Sequence, residues 1–249
     1  LKYLQGMLEF IGGVTILTGN VLRLLLRGRL NFSLLVQQMA VLGVNSIPIS
    51  VLVLCFASAV FTYIIAGELV ERGAAHWTGG LLMIVLLREF IPVFTGIALA
   101  GKIGAPITSE IGTMKISEQI DALKALSTDP DWYLTLPRVL AGIIMMPVVA
   151  VFSGYAGWFA GYLTAHRETD ISYLMFKSSV STLVDVSDYV MCVVKCVVFS
   201  AVIVLTACYM GFRAEGGAAG VGRAVTNGVV VNIVLLFVFD LLLTMVMTK

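Results

Sequence analysis

Four ionisable residues sit inside runs that are otherwise apolar: Arg88, Glu89, Lys195 and Asp240. Their charges sum to zero. Each costs about 2.5–3.5 kcal/mol at the centre of a membrane helix, so such groups face a bundle interior or a wet cavity and pair with one another. Arg88 and Glu89 are adjacent, hence about 100° apart around a helix, and are not expected to point at one neighbour. One arrangement sends them towards Lys195 and Asp240 on other helices. Two roles fit this constellation: an ion-pair network that fixes helix register, or groups on a transport path or in its conformational cycle.

Other chemistry is excluded by what is missing beside each motif. Residues 96–103 read GIALAGKI, close to a phosphate loop, but Ile103 stands where the magnesium-binding hydroxyl belongs, and the segment ends an apolar run. Gly216, Gly217, Gly220 and Gly222 lack the strand context of a dinucleotide site and read as a flexible helix connection. Cys55, Cys192, Cys196 and Cys208 lie in apolar runs. Cys192 and Cys196 share a helix face, but no His or carboxylate joins them at metal-ligand spacing, so they read as core. His76 and His166 are isolated. With no Ser–His–Asp, Cys–His or paired-carboxylate arrangement, the chain is expected to be no enzyme and to hold no cofactor or metal itself.

The elements that must position the four charges follow from composition. The chain has 249 residues, 59% hydrophobic and 12% charged, where soluble domains run about 45–50% apolar and about 25% charged. This is an all-α polytopic membrane protein. A net charge of +1 gives no electrostatic case for nucleic acid. Five segments are long and apolar enough to span: about 47–66, 80–103, 139–164, 189–212 and 229–247. Asp129–Pro130 reads as an N-cap followed by proline at the first helical position. Gly154, Gly157 and Gly161 form a small-residue ladder suited to close helix packing. Residues 1–45 read as interfacial helices and 46–249 as the transmembrane domain. No cationic leader with a short apolar core and cleavage site is visible.

Orientation follows from Lys and Arg. Five spans place Lys2, Arg23, Arg27, Arg29, Lys102, Lys115, Lys124, Arg138, Arg213 and Arg223 on one side, and Arg72, Arg167, Lys177 and Lys249 on the other. The first side is the cytoplasm. It also receives the polar stretch 104–126, GAPITSEIGTMKISEQIDALKAL, while the C-terminus faces the opposite compartment. On a helical wheel Ile107, Ile111 and Met114 share one face of that stretch. Ile116, Ile120, Leu123 and Leu126 fall roughly opposite. A single interfacial helix keeps one apolar face throughout, so a bend is expected near 112–115, or contact with two surfaces. A solvated amphipathic connector also fits the pattern.

Several motifs in order then resemble a known family. They are Arg88-Glu89-x-x-Pro92, Ala100-Gly101-Lys102-x-Gly104, Glu110-x-Gly112-x-Met114, Glu118-Gln119-x-Asp121-Ala122-Leu123 and Asp129-Pro130, followed by Gly216-Gly217-x-x-Gly220-Val221-Gly222-Arg223-Ala224-x-Thr226 and Asp240. Together they look like the signature of MlaE/YrbE-type permeases, membrane subunits of ABC transporters that move lipids with MCE-domain proteins. The resemblance runs from about residue 45 to the end. It implies a homodimeric permease of the bacterial inner membrane, working with a cytoplasmic ATPase that uses ATP and magnesium, an MCE-domain partner and phospholipid as cargo. It makes the segment about 107–125 a coupling helix, with Glu110, Gly112, Met114, Glu118, Gln119 and Asp121 at the ATPase. A secondary transporter driven through Arg88, Glu89, Lys195 and Asp240, and a scaffold for MCE-protein assembly, are the alternatives.

Overall fold

The structure is a computed structural model that describes residues 2–28 and 31–247. Arg29 and Lys249, both used in the charge count, lie outside the described residues. Every regular element among the described residues is helical. Six helical segments are long and apolar enough to cross a membrane: Leu8–Leu26, Phe32–Glu71, Ala75–Ile116, Asp131–Thr169, Val186–Phe212 and Gly217–Met247. Five contain the spans expected from sequence. The sixth falls on the N-terminal segment read above as interfacial. The chain is a multi-pass membrane protein.

Chain order gives α1 (Lys2–Leu26), α2 (Phe32–Leu42), α3 (Ile47–Glu71) and α4 (Thr78–Val85). A π-helical turn, Leu86–Phe90, joins α4 to α5 (Ile91–Leu99), and a second, Ala100–Gly104, joins α5 to α6 (Ala105–Ile116). After α7 (Gln119–Ala125) a third π-turn, Asp131–Thr135, opens α8 (Leu136–Thr169). The chain ends with α9 (Tyr173–Leu183), α10 (Val186–Phe212) and α11 (Gly217–Met247). The restart at Asp129–Pro130 is as expected: Asp129 Oδ1 accepts the Asp131 N–H at 2.9 Å, satisfying an orphan donor of the first turn. Ser172 caps α9 in the same way, accepting from Met175 N–H.

Two boundaries differ from the sequence reading. The polar stretch does not bend at 112–115. Gly112 lies mid-helix in α6, and the break comes at Ser117–Glu118, where Glu118 adopts φ +59°. A left-handed residue past the last turn is a common helix stop, and Ser117 Oγ helps by bonding the Thr113 carbonyl at 2.7 Å. The glycine-rich segment is not a long flexible connection either. Only 213–216 lie between α10 and α11, with Gly216 at φ +84°, and α11 absorbs Gly217, Gly220 and Gly222. Gly220 presses on the Glu215 carbonyl, so close that no Cβ fits there.

The chain packs as two compact units, each drawn from three stretches of sequence. The first holds Leu1–Val44, Leu99–Met145 and Ser200–Leu236. In it, α6 lies against the end of α10 and the start of α11. Thr108 Oγ1 donates to the Ala207 carbonyl at 3.0 Å. A Cβ on Gly211 would meet Ile111 Cβ at 2.7 Å, so this glycine sets how closely the helices approach. The N-terminal α1 is tied here at two points. Tyr209 Oη donates to the Glu9 carbonyl, and Arg213 pairs with the Glu9 carboxylate at 3.4 Å. Further along, Asn20 Nδ2 donates to Asp131 Oδ2 at 3.0 Å.

The second unit holds Asn45–Ala98, Met146–Phe199 and Phe237–Lys249. Here α3 buries Ser50, Leu54, Ser58, Thr62 and Ala66, one residue per turn on a single face. The glycine ladder of α8 packs within the chain: Gly157 against Ser58 and the Leu54 backbone, Gly161 against Thr62 and Leu82, and Gly154 against Ile91. The loop helix α9 was not foreseen from sequence. It seats Phe176 and Ser179 on Gly79 and Gly80 of α4, and Ser179 Oγ accepts the Gly80 N–H at 2.8 Å.

Candidate functional site

The intramembrane charges of the second unit converge around Lys195, which is 0% exposed. Its ammonium donates to the Arg88 carbonyl at 2.6 Å, to Glu89 Oε1 at 3.2 Å and to Asp240 Oδ1 at 2.6 Å. An ammonium has three donors, and all three are used. Glu89 Oε1 also accepts from Thr244 Oγ1 at 3.4 Å. The π-turn explains the backbone contact. It interrupts the regular i→i−4 ladder over Leu86–Phe90, where the Arg88 carbonyl turns to an outside partner.

The Arg88 side chain goes elsewhere. Its Nε donates to Asp188 Oδ1 at 2.7 Å, and Asp188 in turn accepts the Asp185 N–H at 3.0 Å. So the expectation that Arg88 and Glu89 address different neighbours fails: both engage α10. Asp188 and Lys195 are seven residues apart, two turns along one face, about 10 Å in axial rise. The two side chains diverge along α10. Sequence reasoning missed Asp188 because it precedes the apolar run beside Asp185, where acids look like loop charge. The full set is two cations and three carboxylates, formally −1. It ties α10, α11 and the α4–α5 turn together.

Beside this cluster the same unit carries a cavity of about 520 Å³. It is lined by α4, α5, α8, α9 and α10, with Leu87, Ile91, Gly154, Trp158 and Cys192 among its walls. No metal-binding group of three or more His, Cys, Asp or Glu occurs among the described residues.

The residues of the polar stretch lie in the first unit, and they divide into inward and outward sets. Gly112 is buried, where a Cβ would meet Ala214 Cβ and Val221 Cγ1 at 3.2 Å. Met114 is half-buried. Glu110 pairs with Arg138 at 2.7 Å; the guanidinium is 3% exposed and the carboxylate 57%. Arg138, assigned above to the cytoplasmic side, is a buried charge. Its Nη1 donates to the Leu134 carbonyl at 3.1 Å. Glu118, Gln119 and Asp121 are exposed. Asp121 pairs with Lys124 at 3.2 Å and Lys115 at 3.8 Å, and the Lys124 hydrogen bond, aided by both lysine charges, holds its carboxyl below the usual aspartate range. Of the apolar residues expected on the second face, Ile120 is buried, Leu123 half-buried, and Ile116 and Leu126 exposed. The left-handed Glu118 turns α7 so that Ile120 folds back.

The family model for Permease MlaE matches residues 35–246. A probable ABC transporter permease protein of Synechocystis sp. is 36% identical over 231 residues, 93% of this chain and 88% of that protein. A similarly named protein of Pyropia yezoensis is 36% identical over 216 residues, 87% of this chain and 82% of its own length. One from Rickettsia typhi is 34% identical over 220 residues, covering 88% and 85%.

Proposed function

The chain belongs to the permease MlaE family of ABC transporter permeases, and from that premise we propose that it carries phospholipid between the inner membrane and an MCE-domain partner, driven by a separate ATPase. Two copies form the transport unit, each docked on one cytoplasmic ATPase that supplies ATP and magnesium. The α6–α7 hairpin is the coupling element. The observation that carries this reading is the outward set on the hairpin: exposed Ile116, Leu126, Glu118 and Gln119 surround a helix held down from within by Thr108, Ile111 and Gly112. An apolar pair with a free acid beside it suits a groove on a partner, and the anchored inner face lets displacement of the hairpin reach α10 and α11.

The ties of α1 support an interfacial N-terminal segment. Glu9 reaches the end of α10 and Asn20 the start of α8. With five spans, these two helix ends emerge on the same side. Eleven residues of helix, about 16 Å, separate the ties, so α1 runs along that side. The C-terminus then faces away from the cytoplasm.

The test is Glu118→Lys, with ATPase copurification and ATP turnover measured together. Loss of both with an intact fold is expected; retention of both removes the hairpin from the coupling role. A second reading rests on the Lys195 cluster, which resembles the buried ion pairs of gradient-driven carriers. Transport in proteoliposomes that persists without ATP and follows a pH gradient selects that reading.

A further inference from the structure

The cavity of the second unit lies apart in character from the ion cluster: its walls are apolar and aromatic, and it holds one cation. Gly154 of α8 lines it without a side chain, and Trp158, nearly buried, is another of its walls. Tyr173 and Lys177 of α9 and Tyr189 and Val193 of α10 line it as well, and all four are exposed. Trp158 packs edge-on to Tyr173 at 6.2 Å between ring centroids and tilted to Phe176 at 5.3 Å. Lys177 has no ion pair among the described residues.

We propose that this groove seats one acyl chain of a single anionic phospholipid, with the lipid phosphate at Lys177. Several observations select this occupant. Four of the five helices that line the groove, α4, α5, α8 and α10, belong to membrane-spanning segments, with the loop helix α9 completing it, so bilayer lipid is what reaches it. Its volume of about 520 Å³ falls within the about 300–1,000 Å³ typical of small-ligand sites. Exposed tyrosines beside a lone lysine match the interfacial end of a lipid, where phenols sit at headgroup level and an ammonium meets phosphate. The seat needs only the membrane character of the chain. It holds whether or not phospholipid is the transported cargo.

Trp158 makes the seat measurable. The chain with Trp77→Phe and Trp132→Phe keeps Trp158 as its single tryptophan, excited at the red edge where tyrosine does not absorb. It is placed in nanodiscs of phosphatidylcholine with rising fractions of phosphatidylglycerol carrying dibrominated acyl chains. Quenching that saturates at a low brominated fraction is expected, whereas a chain retaining only Trp77 follows the bulk fraction. Lys177→Gln raises the half-quenching fraction of brominated phosphatidylglycerol roughly fivefold and leaves that of brominated phosphatidylcholine unchanged. Ala150→Leu, inside the groove, weakens quenching by both lipids; if circular dichroism shows that it misfolds, Val193→Phe at the rim replaces it. Quenching of Trp158 that is linear in bulk lipid and indifferent to these variants overturns the proposal. So does saturable quenching that vanishes in the full transporter complex, which would assign the groove to a partner's helix. ATP-driven lipid transport, measured in parallel, can fail without touching either outcome.

Discussion

Two buried cations, one in each unit, are handled differently. Lys195 meets three acceptors with three donors and lies in a closed network with Glu89 and Asp240. Arg138 is almost as deeply buried, yet its carboxylate partner Glu110 is more than half exposed, and its Nε has no partner among the described residues. A closed network resists change from any direction, because every group in it loses a partner when one is removed. A half-open pair can be altered from the solvent side alone. The first arrangement suits a structural keystone or a tightly held proton path. The second suits a site where a docking surface competes for the outer acid.

The comparison breaks first at Lys195. Lys195→Met leaves Glu89 and Asp240 close together without their cation, and removing one partner of a buried pair costs about 3–5 kcal/mol. The variant is expected to lose most of its folded yield in detergent, as read by size-exclusion chromatography and thermal unfolding. Lys195→Met with Asp240→Asn should recover a large part of that loss, since the remaining acid, Glu89, is partly exposed. Strict additivity of the two changes would dismiss the network.

The second test reverses the usual expectation about which partner matters. Glu110→Ala strands the Arg138 guanidinium in the interior, whereas Arg138→Met leaves Glu110 facing water. The exposed-acid variant should therefore cost more, about 1–3 kcal/mol against less than about 1 kcal/mol for Arg138→Met. Equal losses in thermal unfolding would show that the pair is a surface contact and that Arg138 is not held by it. For the same reason Glu110 is a poor probe of ATPase docking: its replacement disturbs the fold.

How much of this was legible in sequence depends on whether a signal was local. The helix restart carried by Asp129–Pro130 was readable, because capping and proline act within one turn. The convergence of Glu89, Lys195 and Asp240 was readable from cost, since charge in an apolar run demands a partner. Asp188 was not, because it stands outside the run and its partner is 100 residues away. The burial of Arg138 was hidden for a related reason: a basic residue near a run end follows the topology rule equally well buried or exposed. The π-turns leave no compositional mark, and α9 hides its amphipathic face among loop residues. The break at Glu118 was expected at 112–115 instead, because the apolar face of the stretch switches around Gly112. Packing against Ala214 and Val221, which needs the fold, turned it into part of a straight helix.

Glu118 sharpens the outer side of the comparison with a smaller effect. Its left-handed backbone costs about 1–2 kcal/mol for a residue with a Cβ. Glu118→Gly should therefore raise thermal stability slightly while removing the charge. Glu118→Lys should leave stability within about 0.5 kcal/mol, as for other surface changes. If both weaken ATPase copurification, the carboxylate matters; if only the lysine does, the partner merely rejects positive charge there.

The smallest effect belongs to Asp121, fully in water. The Lys124 hydrogen bond and the charges of Lys115 and Lys124 depress its carboxyl below the ordinary value. A carboxylate lowered in the folded state stabilises at pH above its unfolded value of about 3.9, and the contribution fades as pH falls through the depressed one. Protection of the α7 amides in hydrogen exchange should thus be flat across neutral pH and weaken only in acid. Asp121→Asn should remove that acid limb, and high salt should shrink it, because exposed pairs are screened. The Lys195 network, whose cation is fully buried, should show a weaker salt dependence in the stability of α10. If salt acts equally on both, the contrast between an open and a closed cation site is lost.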